Sequence, residues 1–472
     1  MSWNGDKTDD RNMRSGRDRR IDMHAGLRFS LATFWFKDLV ALVESTRPTV
    51  RTGRPRRHAA ATEAFMFLLS FCMASQAEAD LFIKTGSNWR AFRRALRTAF
   101  PDEPLLGDSA PPPTRSVIRH LKKRLGEDAG WSIATIMAAQ SFSHSTQMGV
   151  GVNHGTLLEP SLEAGIFGDG VVITPMTKHK RGDTSVSERK GCIQQRRFDP
   201  DATYYVDGTG SKVYGNEFIH MSARTGFANE IITFGIRPLR KGGKETESEI
   251  ALAMAKNVKQ NLPGMAMVHY DKALRGRSVE EIWDMRMMPM VGVYDKTGRS
   301  TEHVPLGKKT INGVGTQLFA YRGAVCIRDA DGNFKQLTPT KLIYMPNAAD
   351  DYRVYCDYVV PDTINCDTRL WGGAVTQRMN SPKRADFVYG EHVRAHAPGS
   401  AGWKKLYGHR SLAESLNSWM KTQLLWEKRA RSLNQTHQWI DLMLILMLRN
   451  DRSLMLYQQR SPQARTAPPR AA

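Results

Sequence analysis

Three acids, one of them set among cations, carry the chemistry that these 472 residues offer. In "YGHRSLAESLNSWMK", Tyr407, Arg410, Glu414 and Lys421 stand at offsets 0, 3, 7 and 14. At the α-helical step of ~100° per residue they fall at about 0°, 300°, 340° and 320°, a stripe ~60° wide. An acid, two cations and a phenol on one narrow face do not make a core-facing surface. The competing reading is local: Ser411-x-x-Glu414 is a capping box, which would put Tyr407 and Arg410 ahead of the helix. Asp169 stands in "FGDGVV", amid strand-forming residues. A buried carboxylate there is costly unless it is paired or metal-bound, although "GDG" is also good hairpin-turn chemistry. Asp271 ends the strand-like "MAMVHYD", at the carboxyl edge where α/β sheets bind ligands; a helix cap or an ordinary surface acid is the alternative.

The elements that must position these acids change character along the chain. Residues 1–26 form a basic arm, expected to be flexible. Residues 27–150 read as all-helical, with apolar spacing in "LRFSLATFWFKDLVALVEST", "AATEAFMFLLSFCMASQAEADLFI" and "SNWRAFRRALRTAF". In "TRSVIRHLKKRLG", Val117, Ile118, Leu121 and Leu125 fall inward, while Arg115, Arg119 and Lys122 lie around the remainder. A buried stripe with a cationic surround resembles a helix-turn-helix recognition helix, and a solvated basic helix is the plainer alternative. From about Gly165, short β-branched runs ("GIFGDGVVITP", "ATYYVDG", "GNEFIHMSA", "NEIITFGI") precede alternating helices and strands, an α/β layer. Residues 296–405 read as a β-rich insertion without a convincing helix, "DFVYGEHVRAH" being its last strand. The stripe and "THQWIDLMLILMLR" close the fold, and residues 460–472 form a Pro- and Arg-rich tail expected to be disordered.

Composition narrows the function. Lys and Arg number 68 against 47 Asp and Glu, a net charge of +21, which points to a polyanionic partner. The apolar runs are too short to cross a bilayer, and the polar N-terminus has no signal-peptide core, so a cytoplasmic location without a membrane role is expected. The five cysteines form no Cys-x-x-Cys pair, so neither a zinc site nor a disulfide framework is expected. No phosphate-binding Gly-x4-Gly-Lys-Ser/Thr loop and no dinucleotide glycine fingerprint occurs, which argues against a nucleotide cofactor.

Together, Asp169, Asp271, a long insertion and Tyr-x2-Arg-x3-Glu-x6-Lys resemble the DDE transposases of bacterial insertion sequences, in the branch marked by that signature. "DPDATYYVDGTGSKVYGNEFIHMSARTG" resembles another segment of the family, with Asn216 at or near its usual lysine. The resemblance implies a ribonuclease-H-like catalytic core over residues 160–295 and 406–455. In such a core Asp169, Asp271 and Glu414 would bind two Mg²⁺ ions (Mn²⁺ serving as well), which suit all-oxygen ligands. It further implies that Arg410 and Lys421 hold DNA phosphates and that Tyr407 bonds a phosphate or packs on a sugar. The partners implied are double-stranded DNA (element ends and target) and a second copy of the chain to pair two ends, in the bacterial nucleoid. Asp207 competes as first acid. His269 is expected to pack or touch DNA, and Trp371 and Trp403 could stack on a flipped base or simply pack. A domesticated nuclease of the same fold and a non-catalytic basic DNA-binding protein are the rival functions.

Overall fold

The computed structural model describes residues 26–48, 57–73, 75–186, 192–206, 210–227, 229–293, 303–347, 351–382, 386–424 and 429–460. The basic arm up to residue 25, the tail from 461 and Asp207 lie outside the described residues.

The chain folds into a mixed α/β architecture. Its N-terminal part is helical: α1 (Phe34–Ser45), α2 (Ala60–Cys72), α3 (Gln76–Lys84), α4 (Gly86–Ala99), α5 (Arg115–Arg124) and α6 (Glu127–Met148). Helix α4 buries Trp89, Phe92 and Leu96, one side of a turn-by-turn repeat, and leaves Arg90 and Arg94 outward. Helix α2 is buried nearly all round, so the others assemble about it.

A sheet follows. Its strands are β1 (Gly165–Ile173), β4 (Thr203–Val206), β5 (Lys212–Arg224), β6 (Ile231–Leu239), β7 (Met267–Tyr270) and β8 (Met288–Val291); β2 (Thr184–Val186) and β3 (Ile193–Gln195) form a separate hairpin. The order is β4-β5-β1-β7-β8, with β6 pairing the β5 edge beyond β4. Strands β6, β5 and β1 run antiparallel, whereas β1, β7 and β8 run parallel. The parallel steps require crossovers, supplied by α7 (Glu247–Asn261) and α8 (Arg277–Asp284). Helix α7 opens with a Thr246/Glu249 capping box.

The insertion consists of the meander β9 (Val304–Ile311), β10 (Val314–Tyr321), β11 (Ala324–Arg328) and β12 (Phe334–Gln336), followed by β13 (Thr338–Asn347), β14 (Asp351–Val359) and β15 (Ala374–Arg378). "DFVYGEHVRAH" is not a strand. It holds the single-turn helix α9 (Tyr389–His392), and only Val393 bridges to Gly323. The reason is side-chain capture of its backbone. Glu280 accepts from Ser381 N and Gly390 N (2.9 and 3.2 Å), while the buried Arg394 donates to the carbonyls of Gly390, Val393 and Val291. With those groups satisfied, no ladder is needed.

Helices α10 (Ala401–Tyr407), α11 (Ser411–Leu424) and α12 (Gln435–Arg460) return to the sheet. Alternation on β1 and β5 sends Val171, Ile173 and Phe218 into one core with Leu416 and Met420 of α11 and Leu442–Leu448 of α12. Ile166, Ile219 and Met221 pack with Ile250, Ala251 and Met254 of α7 on the other face. The first of these cores is continuous with the N-terminal helices. Buried Asp451 on α12 reinforces the union: Trp35 Nε1 (2.9 Å), Gln140 Nε2 (2.8 Å) and the Ser30 hydroxyl all donate to it, and His144 Nε2 lies 2.7 Å away. The helical part is therefore joined to the sheet through shared interior.

Candidate active site

Asp169 lies in mid-strand on β1, opposite His220 of β5, so "GDG" is no turn. Its glycines serve close approach. A Cβ at Gly168 would meet Met221 Sδ at 2.5 Å. One at Gly170 would meet Glu217 Oε1 at 3.2 Å and Glu247 Oε1 at 3.3 Å. On the parallel side the pairing runs to Phe167 and His269, and the same 102-residue offset carried two residues on matches Asp271, just past β7, with Asp169. Strand β7 ends at Tyr270, and the Asp271 carboxylate caps the ensuing turn by accepting from Ala273 N (2.8 Å).

Glu414 arrives from α11, which lies across β1 with Ala413 packed on Phe167. The expected single helical stripe is broken into three pieces. Tyr407 is the last residue of α10, Arg410 sits in a 3-10 turn (Gly408–Arg410), and Glu414 and Lys421 are on α11. The capping box is not what Glu414 makes here. Its carboxylate accepts from Arg410 Nη1 (3.1 Å), while the Ser411 hydroxyl donates to Gly408 O (2.8 Å). Arg410 Nη2 also lies 3.8 Å from Asp169 Oδ1, so the guanidinium stands between the first and third acids. Tyr407 is half-buried and stacks on Trp403 (4.4 Å between centroids). Lys421 is exposed, about two turns along α11 from Glu414.

The acids feel one another. Burial pushes Asp169 up to about 6; Arg410 opposes this, while the charges of Asp271 and Glu414 add to it. Glu217 and Glu247, which sequence reasoning did not select, are pushed up to about 7. Burial leads for both, Asp169 and Asp271 contribute to both, and a hydrogen bond from Tyr270 partly offsets the rise at Glu247. A glutamate inside "YGNEFIHMS" was the available signal for Glu217; Glu247 is masked by its place in an ordinary helix start. Asn417, also unselected, donates to Asp169 Oδ2 (2.9 Å). Among the described residues, no group of three or more His, Cys, Asp or Glu is gathered closely enough to hold a metal ion.

Other expectations separate. His269 is buried within the sheet. Trp403 is buried under Tyr407, which leaves its ring no open face there, whereas Trp371 is 40% exposed with its indole donating to Ile364 O. On α5, Val117, Ile118 and Leu121 are buried, as is Leu125 just past its end, and Arg115 and Arg119 are exposed, as their spacing requires. Lys122 is different: its ammonium lies 2.8 Å from Asp441 of α12, bonds Ser432 (2.6 Å) and covers the Phe67 ring. Periodicity placed it on the cationic side, but the arrival of α12 turns it into an interior tie instead of a phosphate contact.

Comparison of the chain with models of known protein families gives no match, and neither does comparison with functionally characterised proteins.

Proposed function

We propose that the chain is a DDE-type DNA transposase, which cleaves and joins DNA at the ends of a mobile element by divalent-metal phosphoryl transfer. The observation that carries the reading is that Asp169 on β1 and Asp271, one residue past the end of the adjacent parallel strand β7, lie near enough for their charges to interact, with Glu414 brought over Asp169 by α11 and linked to it through Arg410. The strand order β6-β5-β1-β7-β8, three antiparallel then two parallel with helical crossovers, supports a ribonuclease-H-like core. The β-rich insertion between the second and third acids supports the transposase branch.

The donor type suits Mg²⁺ or Mn²⁺, being all oxygen, but the acids are not gathered round a cation here: the Arg410 guanidinium stands between Asp169 and Glu414 and would have to leave before a metal could enter. Asp169, Asp271 and Glu414 would hold the metal, which when bound activates the attacking hydroxyl and stabilises the leaving oxygen. This chain's own groups do the rest. Arg410 neutralises the acids in free protein. A DNA phosphate draws its guanidinium away, a bidentate exchange of carboxylate for phosphate that frees Asp169 and Glu414 together. Tyr407, braced by Trp403, keeps Arg410 at the rim, and exposed Lys421 takes a flanking phosphate as a point charge. Arg115 and Arg119 contact duplex DNA away from the cut, and a second copy of the chain supplies the other end. Asn216 departs from the family's lysine. Here its amide donates to Asp199 and Gln438 (3.0 Å each) in the interior, so a structural role replaces the charge.

The test is cleavage of a plasmid carrying the gene with its native flanking DNA. Mg²⁺-dependent cutting at the element ends and strand-transfer products are expected. Asp169→Asn, Asp271→Asn and Glu414→Gln should each abolish both while leaving DNA binding intact. Cleavage without strand transfer would make the protein a nuclease of this fold. The Arg410 bridge also suits a basic DNA-binding protein that never takes up metal; DNA binding with no metal-dependent product would establish that reading instead.

A further inference from the structure

Asn417 is half-buried on α11, three residues beyond Glu414 and hence beside it on the helix surface. Its amide makes three bonds of fixed sense. Nδ2 donates to Asp169 Oδ2 (2.9 Å) and weakly to Gly170 O (3.4 Å), so Oδ1 is turned to His220 Nε2 at 2.9 Å. An acceptor in that place requires His220 to donate from Nε2. His220 is fully buried, opposite Asp169 in the β1/β5 register, and its Nδ1 has no hydrogen-bond partner among the described residues. That is the pattern of a neutral imidazole carrying its proton on Nε2. Reversing the amide would set its oxygen against the Asp169 carboxylate and the Gly170 carbonyl, so those acceptors fix its orientation and His220 Nε2–H completes it from the other side. One Asp169 oxygen, Oδ2, is thereby occupied, while Oδ1 faces the Arg410 guanidinium.

The geometry points to Asn417 as a positioning residue, held by His220, that orients the Asp169 carboxylate and sets the rotational phase of α11, so that Asp169 Oδ1 and Glu414 are presented together to a divalent cation. This rests on the reading of those carboxylates as a cation site. The relay couples β5, β1 and α11. A helix free to roll about its axis would carry Glu414 away from Asp169, and an unpinned Asp169 would offer either oxygen.

The experiment measures Mn²⁺ affinity by calorimetry and DNA affinity by anisotropy on the full chain, for wild type, Asn417→Ala, His220→Leu and His220→Gln. Gln places an amide N–H near the position of Nε2, whereas Leu places none. Asn417→Ala and His220→Leu should each weaken Mn²⁺ binding about tenfold or more, the worth of one hydrogen bond to a charged group, with DNA affinity unchanged. His220→Gln should recover most of the loss. Wild-type Mn²⁺ affinity in folded Asn417→Ala overturns the assignment, as does a His220→Gln that falls as far as His220→Leu. Should Asn417→Ala fail to fold by thermal melt, the order of the two His220 variants decides. If wild type binds no Mn²⁺ and cuts no DNA, the metal reading itself fails and the relay is only structural.

Discussion

Replacing the first acid should remove activity and strengthen the fold, and pH separates that outcome from a simple packing effect. Asp169 is pushed from 3.8 to about 6 in the folded protein, first by burial and then by Asp271 and Glu414, against the pull of Arg410. Between those two values the native state holds a proton that the unfolded chain has lost. Stability therefore falls as pH rises through this window, and the full penalty is present above pH ~6. A shift of about two units corresponds to ~3 kcal/mol. Asp169→Asn carries no such charge, and an Asn oxygen can still accept from Asn417. The variant should match wild type near pH 4 and exceed it by up to ~3 kcal/mol at pH 8, a thermal midpoint higher by a few degrees. Urea titrations at both pH values measure this. Saturating Mn²⁺ should then cancel the advantage, because ligand at a hundredfold excess over Kd stabilises wild type alone by ~2.7 kcal/mol. A variant that is less stable than wild type at pH 8, or whose advantage does not depend on pH, refutes the reasoning.

Lys122→Met strips Asp441 of its interior partner and should cost ~3–5 kcal/mol in chemical denaturation while leaving the salt dependence of DNA binding unchanged. Arg119→Ala should leave the denaturation midpoint unmoved and reduce the salt slope of DNA binding by about one. Arg410→Ala, by emptying the gap between Asp169 and Glu414, should tighten Mn²⁺ binding to DNA-free protein while weakening DNA binding; weaker Mn²⁺ binding would show that the guanidinium assists the site instead of filling it. Asp451→Ala removes the acceptor of buried Trp35 Nε1, the partner of His144 Nε2, and one of the two acceptors of Ser30 and of Gln140. It should cost at least ~3 kcal/mol and loosen α1, α6 and α12 in hydrogen exchange.

Local chemistry made much of this protein legible in its sequence. Alternation and β-branching marked β1, β5, β6, β7 and β8, helical spacing marked α4, α5 and α7, and turn residues set their ends within a few positions. The acids stood out because Asp169 interrupts an apolar strand and Asp271 ends one. These signals act within a turn or a strand, where neighbours in sequence are neighbours in space. Tertiary structure decided everything that depends on distant segments meeting. The 102-residue offset that matches Asp271 with Asp169 follows from the parallel pairing of β1 and β7, which no local pattern encodes. "DFVYGEHVRAH" has strand composition, yet Glu280 from α8 and the segment's own Arg394 satisfy its backbone, so it forms no ladder. Lys122 belongs by periodicity to a solvated face and by tertiary contact to the interior, because Asp441 lies 319 residues away in sequence and 2.8 Å away in space. Tyr407, Arg410 and Glu414 are near one another whether the chain between them is one helix or three pieces. Only the packing of α11 on β1 sets Glu414 across Arg410 from Asp169, with Asn417 bonded to that acid.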